Sequence, residues 1–336
     1  MNDARKPLRI GILGAARIAP SAVIFPAQAT GHQLVAVGAR DKARATEFAK
    51  QYQIEKAYGS YQEVIDDPNV DVIYNALHNG GHGPWNIKAL AAGKHVLSEK
   101  PSASNAAEAK EVAAAVSKSG KVFMEGFHYY YHPVFQRLLA IVKSGEIGEV
   151  IKVESALLIP RPAESDLRLQ FDLAGGSMMD VGCYALHSQR MISQAIADGE
   201  PTIVKAEANA ADGKIDTKLY MQLKYPNGVA CLAKGDFEAP VMEAPLTVTG
   251  SKGSVHLPNF VVSGWDPRVI VDLAGQKRVE HLPSISTYAY QLLAFADAVD
   301  LGKPVKTDAK DALLQAQLID TAYVAAGLPL RPTFKI

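Results

Sequence analysis

The sequence has little of what disulfide-rich, nucleic-acid-binding and membrane proteins need. Its 336 residues include two cysteines, too few for a disulfide framework or a thiolate zinc site. Lys plus Arg equals Asp plus Glu at 35 each, so the chain lacks the positive field that attracts nucleic acids and anionic membranes. It also lacks an apolar run long enough to cross a bilayer and an apolar signal region near its start. These absences predict a cytoplasmic protein without a nucleic-acid or membrane partner.

The length and the hydrophobic pattern predict two domains. A chain of 336 residues is longer than a domain with a single hydrophobic core usually is. In the first third, short apolar runs such as residues 8–13, 33–37 and 95–98 alternate with helical patterns, which predicts βαβ units and a parallel sheet covered by helices on both faces. After Gly126 the strands become longer and follow one another, which predicts an antiparallel or mixed sheet. We therefore place the boundary near residue 127.

Helices are also predicted in the region after residue 127. One is predicted at residues 177–195, and two closing helices are predicted at residues 288–300 and 309–326. The pattern leaves open whether the closing helices pack on the second domain or return to the first.

A loop of small residues joins the first strand to the first helix. Gly14, Ala16 and Ala19 occupy the three positions of the dinucleotide-binding fingerprint. Gly14 allows a tight turn, a small residue at 16 lets the backbone approach a pyrophosphate, and Ala19 allows close packing of helix and strand. The methyl of Ala16, where glycine is usual, holds the phosphates slightly further away. The alternative is an ordinary strand–turn–helix connection.

The end of the second strand indicates which cofactor is bound. An acidic residue there binds the ribose hydroxyls of NAD, whereas an arginine accommodates the 2′-phosphate of NADP. Arg40 follows the small residues of this strand, which favours NADP over NAD. The alternative makes Arg40 a solvated charge and Asp41 only a helix cap.

Polar residues follow two further strands of the predicted parallel sheet. Lys100 comes directly after the strand at residues 95–98 and precedes Pro101, where a cis peptide is one option. Residues 79–82, Asn-Gly-Gly-His, are read as a glycine-rich loop after the strand at residues 71–76. Ligands bind beyond the carboxyl ends of such strands, so Lys100 and His82 are candidate ligand groups. The alternatives are a solvated lysine and a plain connector.

The first half of the predicted helix at residues 177–195 contains three regularly spaced side chains with polar groups. Asp180, Tyr184 and His187 lie on one face if the segment is α-helical, at spacings of four and three. A tyrosine can exchange a proton with an alcohol or alkoxide when a cation stabilises its phenolate. The alternative reading makes Asp180 a helix N-terminal charge and Tyr184 an amphipathic core residue.

Together these segments resemble the glucose–fructose oxidoreductase / inositol dehydrogenase (Gfo/Idh/MocA) family, from about Leu8 to the last helix. The resemblance implies a Rossmann domain in residues 1–127 and an α+β domain in residues 128–336. It implies that the second domain has an open, predominantly antiparallel sheet, which carries the interface of a homo-oligomer, either a dimer or a tetramer. The segments that carry the resemblance are residues 14–19, 79–82, 92–101, 124–127 and 175–184.

The resemblance also implies an activity. Members transfer a hydride between a nicotinamide and a carbon bearing a hydroxyl or carbonyl, commonly on a sugar or polyol. Lys100 matches the active-site lysine of the family. Asp180 and Tyr184 match a motif variant seen in the dimeric dihydrodiol dehydrogenases and the NADP-dependent sugar dehydrogenases of the family. We therefore predict Tyr184 as general acid/base, with Lys100 beside it, Asp180 orienting the substrate, and His187 as a weaker candidate.

Two residue sets follow from these readings. The cofactor-binding set is Gly14, Ala15, Ala16, Arg17, Ile18, Arg40, Leu77, His78, Asn79, His82, Glu99 and Lys100. The substrate-binding set is Lys100, Phe127, Arg161, Arg168, Asp180, Tyr184 and His187. An arginine that is frequent in the family is absent from residues 128–133, so the substrate stays open beyond a carbohydrate-like small molecule.

Two other functions compete with hydride transfer to or from a sugar, polyol or diol. One is a non-catalytic NADP-binding sensor, which would not need Lys100, Asp180 and Tyr184 together. The other is an enzyme that uses its nicotinamide transiently, for hydrolysis or epimerisation of a glycoside through a keto intermediate. No metal is expected, because the sequence contains no compact cluster of metal-binding side chains.

Overall fold

The computed structural model describes residues 6–336 and divides the chain into two compact units. The first unit comprises the described residues up to Phe127, Tyr288–Leu314 and Thr333–Ile336. The second comprises His128–Thr287 and Gln315–Pro332. Within the described residues, no helix combines the length and hydropathy needed to cross a membrane.

The first unit contains a six-stranded sheet in which all five strand pairs are parallel. Its strand order is β3-β2-β1-β4-β5-β6, so the order reverses direction between β1 and β4. The strands are β1 (Arg9–Leu13), β2 (Gln33–Gly38), β3 (Lys56–Tyr58), β4 (Val72–Asn75), β5 (His95–Ser98) and β6 (Phe123–Glu125). The helices are α1 (Phe25–Thr30), α2 (Lys42–Tyr52), α3 (Tyr61–Asp66), α4 (Asn79–Ala91) and α5 (Ala106–Ser119).

Local sequence explains most of these elements. The strands are continuous apolar runs because a parallel sheet covered on both faces buries both sides of each strand. Asp41 caps α2 by accepting from the Ala43 amide, and Asn105 caps α5 by accepting from the Glu108 amide. Gly120 ends α5 in the left-handed conformation with a φ of 63°.

One local prediction is wrong. Residues 79–82 are not a loop: they form the first turn of α4, which begins at Asn79. Tertiary packing outweighs the low helix propensity of glycine in this helix, because a Cβ at Gly83 would lie 2.5 Å from Glu108 Cδ on the neighbouring helix α5. The first helix, expected after the loop of small residues, begins as a π-helix at Pro20–Ile24 and continues as α1.

The second unit contains an eight-stranded sheet of order β14-β13-β12-β11-β7-β10-β9-β8. All its pairs are antiparallel except β7 with β10. The strands are β7 (Val150–Leu158), β8 (Thr202–Asn209), β9 (Lys218–Lys224), β10 (Ala230–Asp236), β11 (Leu246–Gly250), β12 (Gly253–Leu257), β13 (Arg268–Leu273) and β14 (Gln276–His281). This sheet and the parallel sheet of the first unit confirm the predicted fold class.

Helices cover one face of the second sheet. They are α6 (Pro133–Ser144), which packs on β12 and β13, and α7 (Cys183–Ile196), which packs on β7 and β10. Residues with their side chains toward the helices are buried, among them Val153, Met221 and Val248, and their sequence neighbours are more exposed. Two further helices, α8 (Thr287–Leu301) and α9 (Ala309–Ala325), complete the chain, and the division between the units passes through α9 after Leu314.

Candidate active site

The strand register of the first unit brings four functional segments to one edge of its sheet. Leu13 pairs with Asn75, Asn75 with Ser98, and Ser98 with Glu125. These are the last residues of their strands, so the segments that follow leave the sheet side by side. Those segments begin with Gly14, Ala76, Glu99 and Gly126, and they contain most of the predicted cofactor residues. An edge next to the reversal of strand order is where ligands bind in such sheets.

The turn after β1 has the geometry of a tight phosphate loop. Gly14 has a φ of 99°, which an L side chain rarely adopts, and a Cβ there would meet Leu77 Cδ2 at 3.1 Å. The amide of Gly14 donates to the Gly38 carbonyl at 2.8 Å, and Arg44 Nη2 donates to the Ala15 carbonyl at 2.8 Å. The backbone of the loop is therefore fixed before a ligand binds.

Arg40 lies exposed at the end of β2 and influences two neighbouring rings. Burial raises the pKa of the Tyr61 phenol, and the Arg40 guanidinium opposes that rise. Burial lowers the pKa of His78, and Arg40 lowers it further. His78 is therefore neutral at pH 7, and its Nδ1 is buried with no hydrogen-bond partner among the described residues. A polar ligand at this edge would satisfy that nitrogen.

Buried hydrogen bonds hold the segment that carries Lys100. The Lys100–Pro101 peptide is cis, the option considered from the sequence. His82 Nδ1 lies 2.7 Å from the Pro101 carbonyl oxygen and its Nε2 lies 2.9 Å from that of Leu77. Burial lowers the pKa of His82 to about 4, so the ring is neutral at pH 7 and donates from one nitrogen. His82 therefore donates one hydrogen bond to one of these two carbonyl oxygens, and its ring lies between the turn after Lys100 and the segment after β4.

Side chains at the ends of β4 and β5 and on α4 form further buried hydrogen bonds next to this turn. Asn75 Nδ2 donates to Asn86 Oδ1 at 2.9 Å, and Asn86 Nδ2 donates to Ser98 Oγ at 2.9 Å. The Tyr74 hydroxyl donates to Glu99 Oε1 at 2.8 Å, and burial together with this carboxylate raises the pKa of Tyr74 well above its ordinary value. Each of the polar side chains in this network has a hydrogen-bond partner within the protein, which keeps the edge of the sheet rigid.

These features fit a dinucleotide. The turn at Gly14 needs glycine, the first helical segment begins six residues later at Pro20, and His78 has an orphan nitrogen. Gly14, Ala15, Ala16, Arg17 and Ile18 would hold the diphosphate, and Arg40 the adenosine ribose side. No cluster of three or more His, Cys, Asp or Glu side chains suited to a metal ion occurs within residues 6–336.

In the second unit a buried carboxylate fixes the start of the helix that carries Asp180 and Tyr184. Asp216 accepts hydrogen bonds from Ser177 Oγ at 2.7 Å and from the Met178 amide at 2.6 Å. Arg331 pairs with it at 2.5 Å, and both side chains are fully buried. The segment begins as a π-helix, Met178–Gly182, and continues as α7, so the predicted i, i+4 face does not persist through it.

Tyr184 and His187 therefore have different partners. The Tyr184 hydroxyl lies 3.0 Å from His128 Nε2, and His128 Nδ1 lies 2.8 Å from Thr287 Oγ1. The Tyr129 hydroxyl lies 2.7 Å from His187 Nδ1. All of these side chains are buried: Tyr184 is 4 % exposed, His128 1 % and His187 0 %.

The structure brings Asp180 and Arg168 together, and Arg161 pairs with other residues. Arg168 binds Asp166 and places its Nη1 3.3 Å from Asp180 Oδ2. The hydrogen bond to Asp166 raises the pKa of Arg168, although burial opposes it. Arg161 is exposed and pairs with Glu164 at 3.0 Å. Phe127 is fully buried at the end of the segment that follows β6.

Sequence reasoning missed several residues of these networks. His128 and Thr287 contact each other although 159 positions separate them, and Asp216 and Arg331 are 115 positions apart. No short-range sequence pattern predicts contacts between residues so far apart in the chain. A fully buried arginine requires a counterion, but the sequence does not reveal that Arg331 is buried.

Comparisons with known proteins agree with this geometry. Residues 8–127 match the GFO/IDH/MocA model described as an oxidoreductase family with an NAD-binding Rossmann fold, and residues 135–256 match the GFO/IDH/MocA C-terminal domain. The chain is 33 % identical over 325 residues to D-xylose 1-dehydrogenase (NADP(+)) 2 of Haloferax volcanii, covering 95 % of this chain and 97 % of that protein. It is 34 % identical over 275 residues to trans-1,2-dihydrobenzene-1,2-diol dehydrogenase of Mus musculus, covering 79 % of this chain and 77 % of that one.

A solved structure has the same fold over almost the whole chain. It is KijD10, a 3-ketoreductase from Actinomadura kijaniata in complex with NADP and TDP-benzene, with a TM-score of 0.87 and 25 % identity. The match covers 96 % of this chain and 98 % of that one.

Proposed function

Because this chain belongs to the GFO/IDH/MocA family of oxidoreductases, we propose that it transfers a hydride between NADP and a hydroxyl- or carbonyl-bearing carbon of a sugar, polyol or related diol. The similar D-xylose dehydrogenase is named for NADP, and the similar 3-ketoreductase was solved with NADP. Sugar and diol dehydrogenases are both among the relatives, so the proposed substrate carries neighbouring oxygen groups.

The observation that carries the proposal is the row of strand ends in the first unit. It sets the Gly14 turn, the orphan nitrogen of His78 and the Lys100 segment at one edge of a parallel sheet. A nicotinamide-dependent reaction needs a site for the diphosphate, which the Gly14 turn offers, and a cation near the reacting carbon, which the Lys100 segment offers. Arg40, at the end of the neighbouring strand β2, supports NADP over NAD because a guanidinium binds a phosphate monoester through paired charge-assisted hydrogen bonds.

Within this proposal the bound nicotinamide accepts or supplies the hydride, and the chain moves the proton. Tyr184 is the general acid/base, Lys100 supplies the positive charge that favours its phenolate, and Asp180 orients the substrate. Arg168 holds the Asp180 carboxylate, which limits its motion. Phe127 and His187 are proposed to shape the substrate side, and Arg161 to contribute charge at its margin.

The experiment is a screen of purified protein with NADP and with NAD. Sugars, polyols, diols and their carbonyl forms are offered, and the absorbance of reduced nicotinamide is followed together with product. We expect turnover with NADP and at least one polyhydroxylated compound. NADP binding without turnover of any compound would instead identify the protein as a sensor. Product without net change in reduced nicotinamide would identify transient use of the cofactor.

We also propose that the open face of the second sheet forms the contact surface of a homo-oligomer. On the face opposite α6 and α7, the register aligns Gln222, Leu232, Glu154, Thr247, His256, Ile270 and Val279 in one row. The row mixes apolar and polar groups, as non-obligate interfaces do. Light scattering is expected to give a multiple of 36.0 kDa, and Leu232→Lys to lower that mass.

A further inference from the structure

Three buried groups in the second unit form a continuous hydrogen-bonded chain that begins at Tyr184. The phenol oxygen of Tyr184 lies 3.0 Å from His128 Nε2, and His128 Nδ1 lies 2.8 Å from Thr287 Oγ1. The two aromatic rings meet edge to face, with centroids 5.5 Å apart and an interplanar angle of 65°. A phenol, an imidazole and a hydroxyl can each accept one proton while donating another.

All three groups are buried. Tyr184 is 4 % exposed, His128 1 % and Thr287 2 %. The hydrogen bonds between them are therefore shielded from water, and a proton that leaves the phenol stays among these side chains.

The neighbouring tyrosine–amide pair and the histidine that caps α6 lack one of these properties. The Tyr225 hydroxyl donates to Gln189 Oε1 at 2.6 Å, and an amide does not pass protons near neutral pH. His132 caps α6 through its Nδ1 and contacts the Ile285 carbonyl through its Nε2, so both ring nitrogens serve the backbone. His128 differs because it has an exchangeable side-chain group on each side.

We propose that His128, held by Thr287, forms a proton relay that takes up the phenolic proton of Tyr184 during the proposed dehydrogenase reaction. In the oxidation direction the substrate C–H bond breaks with its electron pair as hydride, which goes to the oxidised nicotinamide, and the C–O bond becomes a carbonyl. The substrate hydroxyl proton passes to Tyr184 as the phenolic proton moves to His128 Nε2. The ring keeps its Nδ1 proton, which it donates to Thr287 Oγ1, and becomes an imidazolium.

The balance closes with one hydride on the nicotinamide and one proton on His128. His128 acts through Tyr184 and is a positioning residue, since it also fixes the direction of the phenol. The proposal rests on the dehydrogenase reaction, so its test includes a readout that needs no turnover.

That readout is the pair of ring-nitrogen resonances of His128 in protein labelled with ¹⁵N-histidine. Tyr184→Phe should change the Nε2 resonance of His128, and Thr287→Val should change its Nδ1 resonance. The resonances of His132 should stay unchanged in both variants. Unchanged His128 resonances in both variants would overturn the relay, whatever the enzyme turns over.

The second readout is the split between kcat and KM with the best compound of the screen. His128→Ala is expected to lower kcat by about tenfold to hundredfold with little change in KM, because proton transfer slows while binding is kept. Added imidazole should restore part of that kcat by entering the space that the ring leaves. The control His132→Asn keeps a capping side chain and should retain kcat, with no response to imidazole.

The outcomes separate the two proposals. A raised KM with normal kcat in His128→Ala would contradict the relay, and so would a loss that imidazole does not reverse in a variant with wild-type circular dichroism. If His128→Ala does not fold, His128→Gln, which keeps polar atoms at both ends of the side chain, should fold and lose kcat in the same way. Wild-type protein without turnover of any compound would refute the proposed function, and the nitrogen resonances would then decide the relay alone.

Discussion

Tyr184 is enclosed by the second unit, and one oxygen atom distinguishes it from phenylalanine. Tyr184→Phe should leave NADP affinity nearly unchanged and lower turnover by roughly a hundredfold to ten-thousandfold, the range for a lost general acid. The measurement pairs NADP titration with steady-state kinetics. Tyr225→Phe is the matched control, because it also removes a buried hydroxyl that forms a hydrogen bond, here to Gln189. Wild-type turnover in Tyr184→Phe would remove the phenol from the mechanism.

Arg40 is the residue that should set cofactor preference. Loss of hydrogen bonds to a charged group costs about 1.5–3 kcal/mol, which corresponds to about tenfold to a hundredfold in affinity. Arg40→Ala should therefore raise the dissociation constant of NADP by that factor and leave that of NAD nearly unchanged. Lys50→Ala removes an exposed cation from the last turn of α2, the helix that follows Arg40, and serves as control. An equal loss for both cofactors would show that Arg40 does not bind the 2′-phosphate.

At the residue scale, the sequence reveals groups whose position follows from strand ends. Lys100, Arg40 and Gly14 were predicted because each follows an apolar run directly, and strand ends meet at one edge of a parallel sheet. His128 and Thr287 escaped prediction because their contact depends on how α8 begins beside the segment after β6. That placement is decided by packing over long distances in sequence.

Among the elements, those with strong local signals were predicted to within a few residues. The cap at Asp41 began its helix as expected. The sequence gives weaker signals for β3 and β14, since β3 has three residues and β14 is an edge strand rich in charge. Residues 79–82 were misread as a loop because Gly83, the next glycine of the segment, serves helix packing, which composition does not express.

The edge strand β14 is attached to α6 by an ion pair with a defined pH window. Hydrogen bonding to Arg137 lowers the pKa of Glu280 to about 2, burial opposes the shift, and Arg278 adds to it. In the unfolded chain a glutamate titrates near a pKa of about 4.3. The stabilisation is therefore complete above about pH 4.3 and is lost as the pH falls toward 2.

Glu280→Gln tests this window. The variant should unfold at lower urea than wild type at pH 7, and the difference should shrink as the pH is lowered to 3. Glu149→Gln removes an exposed carboxylate from the same unit and should give a smaller difference. A Glu280→Gln difference that grows with acidity would reverse the assigned sign.

On the scale of the whole molecule, the second unit depends on a pair that joins distant parts of the chain. Arg331→Met leaves the Asp216 carboxylate buried without its cation, and such losses cost about 3–5 kcal/mol. The expected result is a lower free energy of unfolding and faster amide exchange in residues 175–182. Arg278→Met, which removes a partly exposed guanidinium from β14, should leave both nearly unchanged.

A second variant checks the cause of that loss. Asp216→Asn combined with Arg331→Met removes the lone charge and should recover part of the stability. Equal instability of the single and double variants would show that lost packing, and not an unpaired carboxylate, is responsible.

The order in which the ribosome makes this pair has a consequence for biosynthesis. Asp216 is made 115 residues before Arg331, and Tyr288–Leu314, which completes the first unit, is made between them. At roughly 5–20 residues per second, the nascent carboxylate waits about 6 to 23 s for its cation. During most of that interval the first unit still lacks Tyr288–Leu314 and the second unit still lacks Gln315–Pro332. Translation therefore exposes two unfinished apolar faces at once, and we expect the growing chain to engage holdase chaperones until both close together.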